Sequence, residues 1–138
     1  MIDLSGAFGA RVARRLDQEI VIWLTTVRAA GTPQPSPVWF LWADQELLIY
    51  SQPNKQKLRN IEGNPQVALN FDGDGRGGDI VVITGAARID PQTPPADQVA
   101  AYVEKYREQI ARIGMDPASF ARSYSVPLWV MPTGLRGH

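Results

Sequence analysis

The sequence predicts a small antiparallel β-barrel with helical additions, a mainly β fold of about six strands. Short runs of β-branched and aromatic residues recur between turns rich in Gly, Pro and Asp. Helical patterns interrupt those runs instead of alternating with them, which argues against a parallel doubly wound sheet. A chain of 138 residues, 44% of them apolar, suffices for one compact domain over residues 1–138 with one core.

The elements follow in order. Phe8, Val12 and Leu16 recur four apart between charged residues, so Gly6 to Gln18 reads as an amphipathic helix. Ile20 to Val27 is β-branched and aromatic, a strand ended by the turn Arg28 to Pro33. Ser36 to Trp42 reads as a second strand; Pro35 and Pro37 remove ladder donors and place it at a sheet edge. Ala43 to Glu46 turns into a third strand, Leu47 to Ser51, and three strands on short turns predict an antiparallel meander. Asn54 is a candidate cap for a helix over Lys55 to Gly63, stopped by Asn64-Pro65.

Val67 to Phe71 and Ile80 to Ile89 read as a hairpin with a long, mobile Gly-rich connection, and Gly85 permits a bulge. From Thr93-Pro94-Pro95 a helical pattern runs through Val99, Tyr102, Val103, Tyr106 and Ile110 to about Ile113, with Gly114 as its stop. Asp116-Pro117 opens a short helix to Tyr124, Val126 to Met131 is a last strand, and Pro132 to His138 is a tail.

Composition excludes several chemistries. Lys plus Arg (14) balance Asp plus Glu (14), so no whole-molecule field draws in nucleic acid or an anionic bilayer. No cysteine is present and the one histidine is His138, which leaves no thiolate nucleophile, no Cys-based metal site and no internal histidine for a catalytic triad. The N-terminus lacks a basic stretch followed by a long apolar run, and no membrane-length apolar run occurs. A cytoplasmic protein is expected, with neither membrane nor nucleic acid as partner.

Gly73 to Gly78 satisfies G-x-G-x-x-G, but a β run follows it where a dinucleotide fingerprint needs a helix. Read as a calcium loop from Asp72, the same stretch has Arg76 at the fifth position and Ile83 at the twelfth, where carboxylates belong. Ser51, Lys55, Lys57 and Arg59 are a stronger signal. A strand end feeding a basic helix start makes a phosphate cradle, competing with an ordinary solvated basic face. If the helix begins before Lys55, Lys57 lies opposite Lys55 and Arg59; if it begins near Gln56, Lys55 is in the loop and converges with Lys57. Trp39, Phe40 and Trp42 could wall a planar ligand, but strand alternation puts Trp39 and Leu41 on one face and Phe40 and Trp42 on the other, so at least one set is ordinary packing, and packing is the safer reading for each. Tyr102, Tyr106 and Tyr124 offer hydroxyls, but their helical spacing favours packing over catalysis.

The run from Ile22 through Gly31-Thr32-Pro33 to Phe40, followed by Tyr50-Ser51, Lys55-Gln56-Lys57-Leu58-Arg59-Asn60-Ile61 and Asn64-Pro65-Gln66-Val67, resembles the pyridoxamine 5′-phosphate oxidase-like superfamily. Its fold is the six-stranded antiparallel split β-barrel of flavin and deazaflavin proteins. Pro132-Thr133 and Leu135-Arg136-Gly137 extend the likeness, which is strongest to the small coenzyme F420-dependent oxidoreductases of actinobacteria. The resemblance implies a homodimer with cofactor sites at the interface and a small-molecule substrate. It assigns the cofactor phosphate to Lys55 and Lys57 with Ser51 in support, the tricyclic ring to Ser36, Pro37, Val38 and Trp39, and Asn60 to the same site. The uncharged run Val38 to Trp42 departs from the vitamin B6 oxidases, which carry basic residues there, and favours coenzyme F420 over FMN. The implied function is hydride transfer between the deazaflavin and a small organic acceptor. An FMN-binding reductase and a non-catalytic protein that stores or delivers coenzyme F420 are the alternatives.

Overall fold

The structure is a computed structural model and describes residues 2–138. Helix α1 (Gly6–Gln18) precedes strands β1 (Val21–Val27), β2 (Pro33–Trp39), β3 (Leu41–Ala43) and β4 (Glu46–Ser51). Helix α2 (Gln56–Gly63) then leads to β5 (Gln66–Asn70) and β6 (Val81–Ile89), followed by α3 (Ala100–Arg112), α4 (Pro117–Ser123) and β7 (Val126–Gly137). The strands form one curled sheet of 7 in the order β2-β1-β5-β6-β7-β4-β3, with every pair antiparallel. No helix among the described residues is long and apolar enough to cross a membrane.

Phe40 explains the strand count. The expected second strand is cut there into β2 and β3, which lie at the two opposite edges of the sheet. One residue therefore joins the edges, and the sheet must curl to allow it. The backbone polar groups freed by the kink are satisfied by α3. The Tyr106 hydroxyl accepts the Phe40 N–H at 2.7 Å and donates to the Ile20 carbonyl at 2.7 Å, while Lys105 Nζ donates to the Phe40 carbonyl at 2.7 Å. Lys105 Nζ also sits 3.7 Å from the centre of the Phe40 ring. The same kink corrects the meander. The β1–β2 hairpin forms, and β4 pairs with β3, the second half of the expected strand, and on its other side with β7, but not with β2.

β2 has a free edge of a particular kind. Pro33, Pro35 and Pro37 share one parity, so Gln34, Ser36 and Val38 supply the donors toward β1, and the prolines face away from it.

Two apolar clusters form where one core was expected. The barrel interior holds Ile22, Leu24, Val38, Phe40, Leu47, Ile49, Leu69, Ile83, Leu128 and Val130, with Val12 and Leu16 of α1 packed in. The second cluster lies between the outer face of β4 and helices α3 and α4, and includes Leu48, Tyr50, Tyr102, Tyr106, Ile110 and Phe120. Both faces of β4 are thus covered, which is why Leu47 to Ser51 is buried without interruption. Trp39 and Leu41 pack with the second cluster, Phe40 and Trp42 with the first, as strand alternation requires.

Three boundaries differ from expectation. Asn54 does not cap α2; its backbone is left-handed (φ 64) and the N-cap is Lys55. α3 starts at Ala100, after a single 3-10 turn over Ala96–Gln98, because the backbone is non-helical on both sides of that turn, at Pro95 (ψ 156) and at Val99 (ψ 97). The tail after Met131 is the second half of β7, and His138 exchanges both backbone hydrogen bonds with Ile80. Within the Gly-rich connection Asp74 Oδ1 accepts the N–H groups of Arg76 and Gly78, and His138 Nε2 lies 2.9 Å from the Gly77 carbonyl oxygen. The bulge does fall at Thr84/Gly85, where a Cβ on Gly85 would meet the Met131 carbonyl oxygen at 2.6 Å.

Candidate functional site

A cavity of about 320 Å³ opens where the end of β2, the end of β4, the start of α2 and the helices α3 and α4 converge. One end is cationic and the other is aromatic. Lys55, Lys57, Ser51 and Gln52 line the first; Trp39, Tyr102, Phe120 and Tyr124 line the second.

The cationic end follows from where α2 begins. With Gln56 as its first residue, Lys55 lies in the preceding extended backbone and Lys57 in the first turn, and both reach the cavity. The Leu58 N–H bonds back to the Lys55 carbonyl at 3.1 Å, but no side chain caps the helix and its first turn holds no acid, so its positive dipole end is not neutralised locally. Burial, with Lys55's charge second, holds the Lys57 ammonium below the usual lysine range. A ligand anion placed here offsets the repulsion between the two ammonium groups and gives the partly buried Lys57 charge a partner. Arg59 takes no part: it donates to the Asn54 carbonyl and to Gln56 Oε1.

The aromatic end is a stack. Trp39 lies 4.8 Å from Tyr106 at an interplanar angle of 9° and 5.5 Å from Phe120 at 17°; Phe120 continues to Tyr124 at 4.4 Å and 13°. Such pairs contribute about 0.5–1.5 kcal/mol each beyond area burial and hold the rings rigidly. Tyr50 donates its hydroxyl to the Pro94 carbonyl at 2.7 Å, and burial, with Asp97 second, pushes its pKa up to about 12. Burial likewise drives the Tyr102 and Tyr106 hydroxyls far above the ordinary tyrosine range, so both remain protonated.

The cavity brings together Pro37, Val38, Trp39, Ser51, Lys55 and Lys57. Ser36 and Asn60 lie outside its lining. Ser36 is paired with Leu24 in the β1–β2 register. The Asn60 amide is buried and engaged, donating to Thr26 Oγ1 at 2.9 Å and Gln34 Oε1 at 3.0 Å and accepting from Gln56 at 2.8 Å, so it braces α2 against the barrel. Ser51 is buried too, and its hydroxyl donates to the Gln52 carbonyl at 2.8 Å. Tyr50, Gln52, Tyr102, Ile113, Phe120 and Tyr124 join the lining without having been singled out for the site. For Tyr102, Ile113, Phe120 and Tyr124 the only sequence signal is the helical periodicity in and beside α3 and α4, which marks an apolar face without naming what it covers.

The profile of the pyridoxamine 5′-phosphate oxidase family matches residues 8–134. The chain belongs to that family. Among solved structures it is similar to an F420 reductase at 26% identity and a TM-score of 0.66, covering 89% of this chain and 94% of that one. HutZ, the heme storage protein of Vibrio cholerae, is 16% identical with a TM-score of 0.65 over 96% of this chain and 95% of its own. An FAD-binding protein of Mesorhizobium loti is 18% identical with a TM-score of 0.59 over 91% and 88%. These last two share the fold. No curated protein matches the sequence. The class defined by family and fold is thus a split-barrel protein of the pyridoxamine 5′-phosphate oxidase family, similar in structure to an F420 reductase.

Proposed function

We propose that this chain binds coenzyme F420 and is an oxidoreductase passing hydride between the deazaflavin and a small organic acceptor. The observation that carries the reading is a single cavity with two lysines at an uncapped helix start on one side and the uncharged wall Pro37-Val38-Trp39 on the other. A phosphate fits the first and a planar ring the second. When bound, the reduced deazaflavin supplies the hydride; the chain supplies position and dryness. Lys55 and Lys57 hold the phosphate, Ser51 supports that end, and Pro37, Val38 and Trp39 bear the ring. No side chain is assigned as a catalytic nucleophile, because hydride transfer does not require one. His138, bonded to Gly77 outside the cavity, offers no imidazole to a ligand there.

A cytoplasmic homodimer completes the reading. Ile113, 48% exposed at the cavity rim, is apolar surface that a second protomer would cover. Fluorescence titration of ligand-free protein with coenzyme F420, beside FMN, tests the cofactor. Saturable binding selective for the deazaflavin is expected. Preference for FMN replaces it with a flavin reductase, and binding of neither overturns the proposal.

A further inference from the structure

One residue of the cavity lining carries a polar atom that the fold leaves unpaired. Tyr102 is fully buried, and among the described residues its hydroxyl has no hydrogen-bond partner. Four residues along the same face of α3, the Tyr106 hydroxyl satisfies the backbone at the Phe40 kink. Tyr50, whose ring meets Tyr102 edge-on at 5.0 Å and 83°, gives its hydroxyl to Pro94. A buried, unpaired hydroxyl destabilises a protein, whereas a phenylalanine in the same space does not. The ring has little freedom to seek another partner, being wedged between Tyr50, Tyr106 at 4.9 Å and Phe120 at 6.0 Å. Its hydroxyl stays protonated at any ordinary pH, which makes it a donor to a neutral acceptor.

We infer that Tyr102 is a specificity residue: its hydroxyl donates a hydrogen bond to a carbonyl oxygen or ring nitrogen on a planar ring held at the aromatic end of the cavity. This deepens the reading of the cavity as a ligand site, without depending on which cofactor occupies the cationic end. Hydrocarbon rings of the same shape fill the space and leave the hydroxyl unpaired, so they are discriminated against.

The test uses Tyr102→Phe and two probes of one shape, isoquinoline with a ring nitrogen and naphthalene without, titrated by ligand-observed NMR. Tyr102→Phe is expected to weaken isoquinoline about 2- to 12-fold, the worth of one neutral hydrogen bond, and to leave naphthalene unchanged. Thermal unfolding of the ligand-free variant is expected at or above the wild-type temperature. Equal isoquinoline affinity in both proteins, or no saturable isoquinoline binding, overturns the inference. So does a fall in melting temperature of about 5 °C or more, or a failure to fold, since either shows a hydroxyl already used by the fold. If isoquinoline behaves as expected while wild-type protein ignores coenzyme F420, the cofactor reading falls and the role of Tyr102 stands.

Discussion

Tyr106→Phe removes one oxygen atom and nothing else from the joint between β2 and β3, which makes it a sharp probe of how the sheet is closed. The hydroxyl is the acceptor for the Phe40 N–H, a donor on a fully buried residue, and it also donates to the Ile20 carbonyl. An unpaired buried N–H costs about 1–3 kcal/mol, and the lost bond to a partly exposed carbonyl adds about 0.5–1.5. The Phe40 carbonyl keeps its bond from Lys105, so it adds nothing to the loss. The expected destabilisation is about 2–4 kcal/mol, a large share of the roughly 5–15 that holds a domain together. At this chain length each kcal/mol lowers the melting temperature by about 3–5 °C. Urea unfolding followed by tryptophan fluorescence and by circular dichroism reads the change as a shift in midpoint at constant slope. A loss below about 1 kcal/mol would mean that the kink is held by ring packing alone, and the account of barrel closure given above would be wrong.

Three further outcomes are expected. Replacing both Lys55 and Lys57 with Ala should weaken coenzyme F420 by about 2–4 kcal/mol in titration, with the fold intact by circular dichroism; unchanged affinity removes both from the phosphate site. Burial brings Lys105 down to about 8, against the opposing pull of Asp17 and Glu19. Between about pH 8 and 10.5 the unfolded chain therefore holds a proton that the folded one has released, so stability relative to Lys105→Met rises across that window and is lost as pH falls through 8. Allowing for partial solvent screening, the rise is about 1 kcal/mol, and a flat difference profile over this range contradicts it. Gly85→Ala sets a Cβ against the Met131 carbonyl oxygen and should cost about 1–3 kcal/mol in denaturant, while a neutral result would show that the bulge can relax.

Much of this architecture is legible in the order of residues because it is local. Alternation assigned the faces of Trp39, Phe40, Leu41 and Trp42, and the capping box of Asp116 and Ser119 opens α4 as its Asp-Pro start implies. The break at Phe40 is not legible, since alternation runs through it undisturbed and the hydroxyl that holds it is supplied by Tyr106, 66 residues away. The second half of β7 was hidden for a related reason. Pro132 and Gly134 read as a tail, yet Pro132 sits opposite the bulge at Gly85, and Gly134 is paired with Thr84, whose hydroxyl a side chain would strike. Of the site, the lysines are legible as charge at a helix start. Tyr102, Phe120 and Tyr124 are not, because they become a wall only when α3 and α4 dock on the outer face of β4. The unbroken apolar run Leu47-Leu48-Ile49-Tyr50 was the one hint that this strand has something packed on both sides.

The parity of Pro33, Pro35 and Pro37 sets a rule of valence for anything that approaches this side of the barrel. From Pro33 to Pro37 the outer rim of β2 presents carbonyl oxygens and no N–H, so it can accept but not donate. Two such rims brought together are acceptor against acceptor, and neither can extend the other's sheet. Twin chains that meet rim to rim along β2 must therefore bind through side chains rather than by continuing the strands. A ring that settles beside Pro37 must bring its own N–H or O–H to be held by the backbone there, so the chain's row of missing hydrogens becomes a requirement placed on its guest.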